Sequence, residues 1–371
     1  MKVVVVGGGY AGLGCLVELS RKLPGAERWL VDPGEQHLKL TRLHEALRTP
    51  LSRWQVPFAE LERRYGFTHV RAPAALGKAA LTRAAETGRI PLGDRELQFD
   101  VLLLAAGARP RPRPRLRNCF GLADLRHREG QRLIEQIVAA GSRRRRVTVV
   151  GGGATGLQYL FELRDVFRRA GSRVRLELVD GGETLLPDQP PAFHDYVTRR
   201  LEEGGIDYFP ATRLRGVDGD RLVVAGPRGG RRELNSLASF VFAGLRGNPV
   251  FLDADESGRV LRQGQPLHRI FAAGDCCTYA GPGYDGRSAQ AALRQGLHVA
   301  SAIVRLDRGR RLPEYRSSEL GFFLSLGALD GIGWVGTPDA VVTGVPAYGI
   351  REAIETRYDL FVAGVDTFRI L

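Results

Sequence analysis

Two glycine-rich junctions, each closing a run of β-branched residues, constrain this chain more than any other feature. Val3-Val4-Val5-Val6 runs into Gly7-Gly8-Gly9-Tyr10-Ala11-Gly12, and Val147-Thr148-Val149-Val150 runs into Gly151-Gly152-Gly153-Ala154-Thr155-Gly156. In such a junction the first two spaced glycines permit a tight turn and close backbone approach, and the last lets the helix pack on the strand. The helix N-terminus then receives a pyrophosphate. The flanks agree. Asp32 closes an apolar stretch 20 residues beyond Gly12, and Asp180 closes Leu176 to Val179 at 24 residues beyond Gly156. Each acid is placed to accept from a ribose hydroxyl at the end of the second strand, so two dinucleotide sites are predicted.

The rest of the chain is ordered around those junctions. The first unit reads strand 3–6, helix 11–22 and strand 28–32, the start of a doubly wound sheet. A short helix is expected over 56–65 and one strand over 97–105, leading to Gly107. A helix ending at 134–140 delivers the chain to the second junction. There follow strand 147–150, helix 155–169, strand 174–179, helix 191–203, short strands within 206–225 and strand 240–243 ending at Gly244. The chain then returns through Ile270-Phe271-Ala272-Ala273-Gly274-Asp275, expected as a buried strand ending in glycine and acid, with helix 287–306 directly after it. A buried strand-end acid needs a donor, and either a bound polyol or the backbone of a capped helix supplies one. An amphipathic piece near 350–358 marks a smaller closing unit. The fold class expected is α/β, with two Rossmann-like domains, the second inserted in the first, plus a small C-terminal α+β unit. The boundaries are 1–115 with 251–317, 116–250, and 318–371.

Lysine and arginine number 54 against 41 acids, a net charge of +13. That favours anionic partners, including a weak peripheral contact with an anionic membrane. The arginine runs at 109–115 and 143–146 lack interleaved aromatics and any nucleic-acid motif, so no nucleic-acid partner is expected. The first reads as an extended Arg-Pro connector and the second as a solvated lead into the strand at 147. No apolar run spans a bilayer, and the first strand starts too early for a signal peptide, so a cytoplasmic protein is expected, with the inner membrane face as its candidate surface. Cys15, Cys119, Cys276 and Cys277 include no CxxC or CxxxxC pair. They read as packing residues rather than a redox disulfide or metal site.

Taken together, the segments 4–12, 32–43, 102–109, 149–156, 243–249, 270–276, 289–296 and 322–327 resemble the type 2 NADH dehydrogenase family and the related ferroptosis suppressor class of NAD(P)H:quinone oxidoreductases, within the two-dinucleotide-binding-domain flavoproteins. The resemblance covers almost the whole chain. It implies FAD on Gly7, Gly9, Tyr10, Ala11, Gly12 and Asp32, with Ala105, Ala106, Gly107 and Arg109 beside the flavin and Gly274 and Asp275 at its ribityl chain. It implies NADH on Gly151, Gly153, Ala154, Thr155, Gly156, Asp180 and Gly244. Gln290 and Ala291 fall at the pyrimidine edge and quinone entrance, and Gln158 and Gln290 take the catalytic positions.

Two departures stand out. The family usually carries glutamate where this chain has Gln158, and the chain ends at Leu371, too early for the longer amphipathic tail of many members. The expected activity is hydride transfer from NADH to flavin and two electrons onward to a quinone, with a homodimer as candidate assembly. A sulfide:quinone oxidoreductase and a redox-sensing FAD module with little turnover are the alternatives. NADH is expected over NADPH because Asp180 would repel a 2′-phosphate, softened by Arg173 or Arg175.

Overall fold

The computed structural model describes the chain except residues 75, 141–145, 220, 248–250, 282–286, 318 and 368–371. Arg143, Arg144, Arg145, Asn248 and Pro249 therefore lie outside the described residues. Two sheets carry the molecule, the larger mixed with a parallel centre and the smaller parallel. In the larger, Lys2–Val6 lies between Glu27–Val31 and Val101–Leu104, with Thr68–Val70 beyond the former and Gln265–Ala272 beyond the latter. In the smaller, Arg146–Val150 lies between Arg175–Val179 and Ala238–Val241. The continuous β-branched runs follow from this position. Val3, Val4 and Val5 are fully buried, as a parallel strand covered on both faces requires.

Because the larger sheet takes strands from both ends of the first 280 residues and the smaller from 119–241, the second unit is inserted in the first. Helix Tyr10–Lys22 crosses helix Ala289–Asp307 at close range: a Cβ on Gly296 would stand 2.1 Å from the Ala11 carbonyl oxygen. Only glycine permits that approach. A three-stranded antiparallel sheet, Gly321–Ser325, Gly331–Val335 and Val341–Thr343, together with helix Gly344–Val362, closes the chain.

Several local expectations are corrected. The strand expected over 97–105 is two, Arg95–Gln98 and Val101–Leu104, because the first turns back in a hairpin with Arg89–Leu92 while the second enters the parallel sheet. The helix expected over 56–65 begins at Phe58, after the short strand Gln55–Pro57. Strand 240–243 is shifted to Ala238–Val241. The return strand ends at Ala272, and Cys277–Tyr279 intervenes before helix Ala289–Asp307. Part of the Arg-Pro connector is a strand, Ala108–Pro110, paired with Leu245–Gly247. No described helix is long and apolar enough to cross a membrane.

Candidate active site

The carboxyl ends of the central strands meet at each glycine turn, the place where an open α/β sheet leaves a crevice. At the first, Gly7 N–H donates to the Val31 carbonyl (2.9 Å), Ala105 N–H to Val6 (2.8 Å) and Ala273 N–H to Leu104 (2.9 Å). Gly7 and Gly12 are irreplaceable on packing grounds: added Cβ atoms would sit 2.2 Å from the Ala105 oxygen and 1.9 Å from the Gly7 oxygen. Gly9 differs. A Cβ there meets nothing within 4 Å, so the turn is tight where it folds and open where a phosphate would approach. The second turn repeats this. Gly151 and Gly156 press on backbone at 2.3 and 1.9 Å, while Gly153 faces open space.

Both acids are already organised. Asp32 accepts from Gly8 N–H (2.7 Å) and Gly34 N–H (2.7 Å), and Asp180 from Gly152 N–H (2.9 Å). An ionised carboxylate has about four acceptor positions, so each keeps capacity for a ribose hydroxyl. Arg175 begins the strand that Asp180 follows, roughly 16 Å away along an extended chain, and Arg173 lies further back. Neither softens the charge of Asp180. Arg213 lies nearer, its Cγ 3.2 Å from where a Cβ on Gly181, the residue after Asp180, would stand.

Beneath the first turn lies a buried aromatic layer that the sequence did not announce. Phe58 packs on Gly8, and His37 Nδ1–H donates to the Gly8 carbonyl at 2.9 Å. A carbonyl only accepts, so His37 Nε2 is left to accept from Tyr358 Oη–H at 2.8 Å. Burial lowers the His37 pKa to about 4. Tyr10 turns its ring into this layer, edge-on to His37, and its hydroxyl bonds Thr41 Oγ1 at 3.0 Å, which in turn donates to Glu355. Only the backbone of Tyr10 remains at the turn.

The other sequence-selected residues divide by position. Ala105, Ala106 and Gly107 follow the end of Val101–Leu104, half-buried or buried, and Gly107 takes φ +66°; Arg109 is exposed and pairs in register with Arg246. Gly274 (φ +82°) and half-buried Asp275 sit beside Leu104 and Ala105 at the strand ends. Gln295, missed from sequence, holds the Gly274 N–H at 2.6 Å. Gln290 and Ala291 are half-buried in the first turn of helix Ala289–Asp307, where Ser288 caps the Ala291 N–H. Ala154 and Thr155 open helix Ala154–Arg169, and Gly244 is exposed at φ +89°. The thiols of Cys276 and Cys277 donate to carbonyls of Leu104, Ala273 and Gly274, and all four cysteines are buried thiols outside any disulfide.

Gln158 connects the second turn to the closing unit. Its amide donates to Ser325 Oγ at 3.4 Å, and Ser325 bonds His44 Nε2 at 3.1 Å. His44 is buried and its pKa is held well below the ordinary value by burial and by Arg351, Arg48 and Arg42. One turn along the same helix, Glu162 meets Arg48 Nε at 2.6 Å. From there a buried ionic lattice spreads: Glu45 bonds Arg42 (3.0 Å), Arg48 (2.9 Å) and Arg351 (3.4 Å), and Arg42 reaches Glu352 (2.7 Å).

The chemistry such a pair of crevices can do is oxidoreduction between two bound dinucleotides, and comparison with known proteins decides the family. Residues 1–296 match the pyridine nucleotide-disulphide oxidoreductase family. The chain belongs to that family. It is therefore an oxidoreductase of the pyridine-nucleotide class. Among similar proteins, the type II NADH:quinone oxidoreductase of Staphylococcus epidermidis is 28% identical over 403 residues, covering 98% of this chain and 96% of that protein. The structure of NDH2 from Plasmodium falciparum in complex with NADH superposes with a TM-score of 0.79 at 13% identity, covering 95% of this chain and 94% of that one. The sulfide:quinone oxidoreductase of Aquifex aeolicus also gives 0.79, at 14% identity over 98% and 92% of the two chains. These structural likenesses share the fold.

Proposed function

We propose that this oxidoreductase takes hydride from NADH onto FAD and passes two electrons to a quinone. The observation that carries the reading is the pair of glycine turns, each tight at its packing glycines and open at Gly9 or Gly153, in one chain that resembles a type II NADH:quinone oxidoreductase over its whole length. The first turn, Asp32, Ala105, Ala106, Gly107, Gly274, Asp275, Gln290 and Ala291 hold FAD, within a unit made of 1–115 and 251–317. The second turn, Asp180 and Gly244 hold NADH, within 116–250. When bound, the flavin accepts a hydride and releases electrons to an acceptor; the protein's part is to hold the two rings in contact and keep water out.

Gln158 orients rather than ionises. Its amide, Ser325 and neutral His44 tie the second turn to the closing unit of 318–371. The positive net charge and exposed Leu320, Leu329, Val335 and Val345 in that unit support a peripheral contact with an anionic membrane face. The buried, carbonyl-bonded thiols favour NADH over sulfide as donor. The test is anaerobic mixing of flavin-loaded protein with NADH, NADPH or sulfide, followed by a soluble quinone. Fast bleaching by NADH and reoxidation by quinone are expected. Folded protein with no affinity for FAD refutes the assignment, and reduction by sulfide alone moves it to the sulfide-oxidising class.

A further inference from the structure

A second concave site lies at the far end of the helix that opens on Gly153. Helix Ala154–Arg169 has 16 residues and so runs roughly 24 Å from the glycine turn. At its C-terminal end a cavity of about 460 Å³ opens, lined by Arg164, Arg168, Arg175 and Arg200 over a floor that includes Phe167. Glu203 is the one carboxylate among its lining residues, and it is paired with Arg200. Three of the arginines have a structural use. Arg164 bonds Asp165 at 3.0 Å, Arg168 lies in the last helical turn, where a cation suits the helix dipole, and 3.7 Å from Asp165, and Arg200 bonds Asp330 at 2.7 Å. Arg175 has none of these. It begins a strand, is exposed, and makes no ion pair among the described residues.

What the cavity arginines hold makes the site more than a basic patch. Arg164 donates to the Leu326 carbonyl at 3.3 Å and to Asp165 at 3.0 Å, and Asp165 accepts from Ala328 N–H at 2.8 Å. Gly327 is forced by this clasp, since a Cβ there would lie 2.4 Å from the Asp165 carboxylate. On the other side Asp330 takes Arg200 and the Tyr196 hydroxyl, both at 2.7 Å. The turn 326–330 is thus clasped at two points by cavity arginines, and the residue preceding it is Ser325, the partner of Gln158.

We propose that this cavity binds a compact oxyanion of the phosphoryl class carrying two or more charges, and that occupancy draws Arg164 and Arg200 away from the 326–330 turn, loosening Ser325 from Gln158. Four arginines line one space, two of them, Arg168 and Arg175, exposed, and Arg forks bind the paired acceptor oxygens of such an anion bidentately. The binding site stands independently of the NADH reading; its effect on the reaction rests on that reading.

The probe is inorganic pyrophosphate, titrated calorimetrically into the flavin-loaded full chain at constant ionic strength, with the Arg168→Ala/Arg175→Ala double variant beside it. Both substituted side chains are exposed and neither bonds the turn; Arg168 meets Asp165 only at 3.7 Å, and Arg164 still holds that carboxylate at 3.0 Å, so the fold and the clasp survive. One binding event present in the native chain and weakened at least tenfold in the variant is expected. No event, or only events common to both proteins, such as binding at a glycine turn, overturns the site. Hydrogen exchange then reads the coupling without any NADH. Amides of 325–330 are expected to exchange several-fold faster with saturating pyrophosphate in the native chain and at an unchanged rate in the variant. Unchanged exchange in the native chain with the site filled overturns the coupling.

Discussion

Replacing Glu162 by Gln isolates the most consequential buried charge in the molecule. Burial pushes the Glu162 pKa up from 4.5 to about 7, against the pull of Arg48 and with the help of Glu45 and Asp165. The folded state therefore holds a proton that the unfolded chain gives up above pH 4.5. Stability from this group is fully present below that pH and is lost as pH rises through about 7. A rise of this size, at about 1.4 kcal/mol per pKa unit, removes about 2.5 kcal/mol between pH 5 and pH 8. The Gln variant lacks the titration but keeps an acceptor for Arg48. Urea unfolding of both proteins at pH 5, 6, 7 and 8 measures the difference, because groups that do not touch Glu162, His37 among them, cancel in it. The variant is expected to gain on the parent by about 2.5 kcal/mol across that range, most of it between pH 5 and 7. A flat difference refutes the claim that Glu162 is protonated in the fold, and a falling one would mean that the Arg48 pair dominates burial.

Three further outcomes follow from the glycine turns and their neighbours. Gly153→Ala adds a methyl to open space at an ordinary φ, so stability should change by less than about 1 kcal/mol, gain in the unfolded chain offsetting the poorer N-cap, while NADH affinity falls at least tenfold, about 1.4 kcal/mol; Gly156→Ala, whose Cβ would meet backbone at 1.9 Å, should instead lose about 1–3 kcal/mol of stability in urea titrations. Asp180→Ala leaves Arg213 beside the ribose position and should move the NADPH-to-NADH ratio of flavin reduction rates up by about tenfold or more, read by stopped flow. Gln158→Glu gives Ser325 a second acceptor for its single proton in competition with His44, so the pH profile of quinone reoxidation should shift while FAD affinity stays within about twofold, a split read by stopped flow and equilibrium binding.

The parts of this protein legible in its sequence are those where local geometry and chemistry coincide. A valine run, a glycine turn and an acid at the end of the next strand are each demanded by the backbone of one βαβ unit, so Gly7 to Gly12 with Asp32, and Gly151 to Gly156 with Asp180, could be placed from residue type and spacing. The segment Leu40–Leu47 could not. Residue type alone gave Arg42, His44 and Glu45 no role, yet all three are buried, because Glu162, Arg351, Glu352 and Glu355 arrive from elsewhere in the chain and, with neighbouring Arg48, complete their pairing. Sequence records the charges but not their partners. The hairpin Arg89–Gln98 was hidden for a related reason: Leu97 to Leu104 is a nearly continuous apolar stretch, and only the competition between two sheets breaks it at Phe99 and Asp100.

The groups at the two ends of the Gln158 chain decide what it can contribute. The amide donates to Ser325, whose hydroxyl meets His44 Nε2, and burial together with three surrounding arginines holds the His44 pKa well below the ordinary value, so the ring is neutral. An amide at one end and a neutral imidazole at the other supply no proton, and the neighbouring carboxyl, Glu162, which burial keeps protonated up to about pH 7, faces Arg48 rather than Ser325. The chain therefore fixes geometry. Ser325→Ala severs it with the loss of one hydroxyl. The expected result is slower hydride transfer, by about tenfold for a lost orienting contact of about 1.4 kcal/mol, with the pH profiles of both half-reactions unchanged. A pH profile that moved with Ser325 would show instead that protons travel along this path, and positioning would no longer suffice as its role.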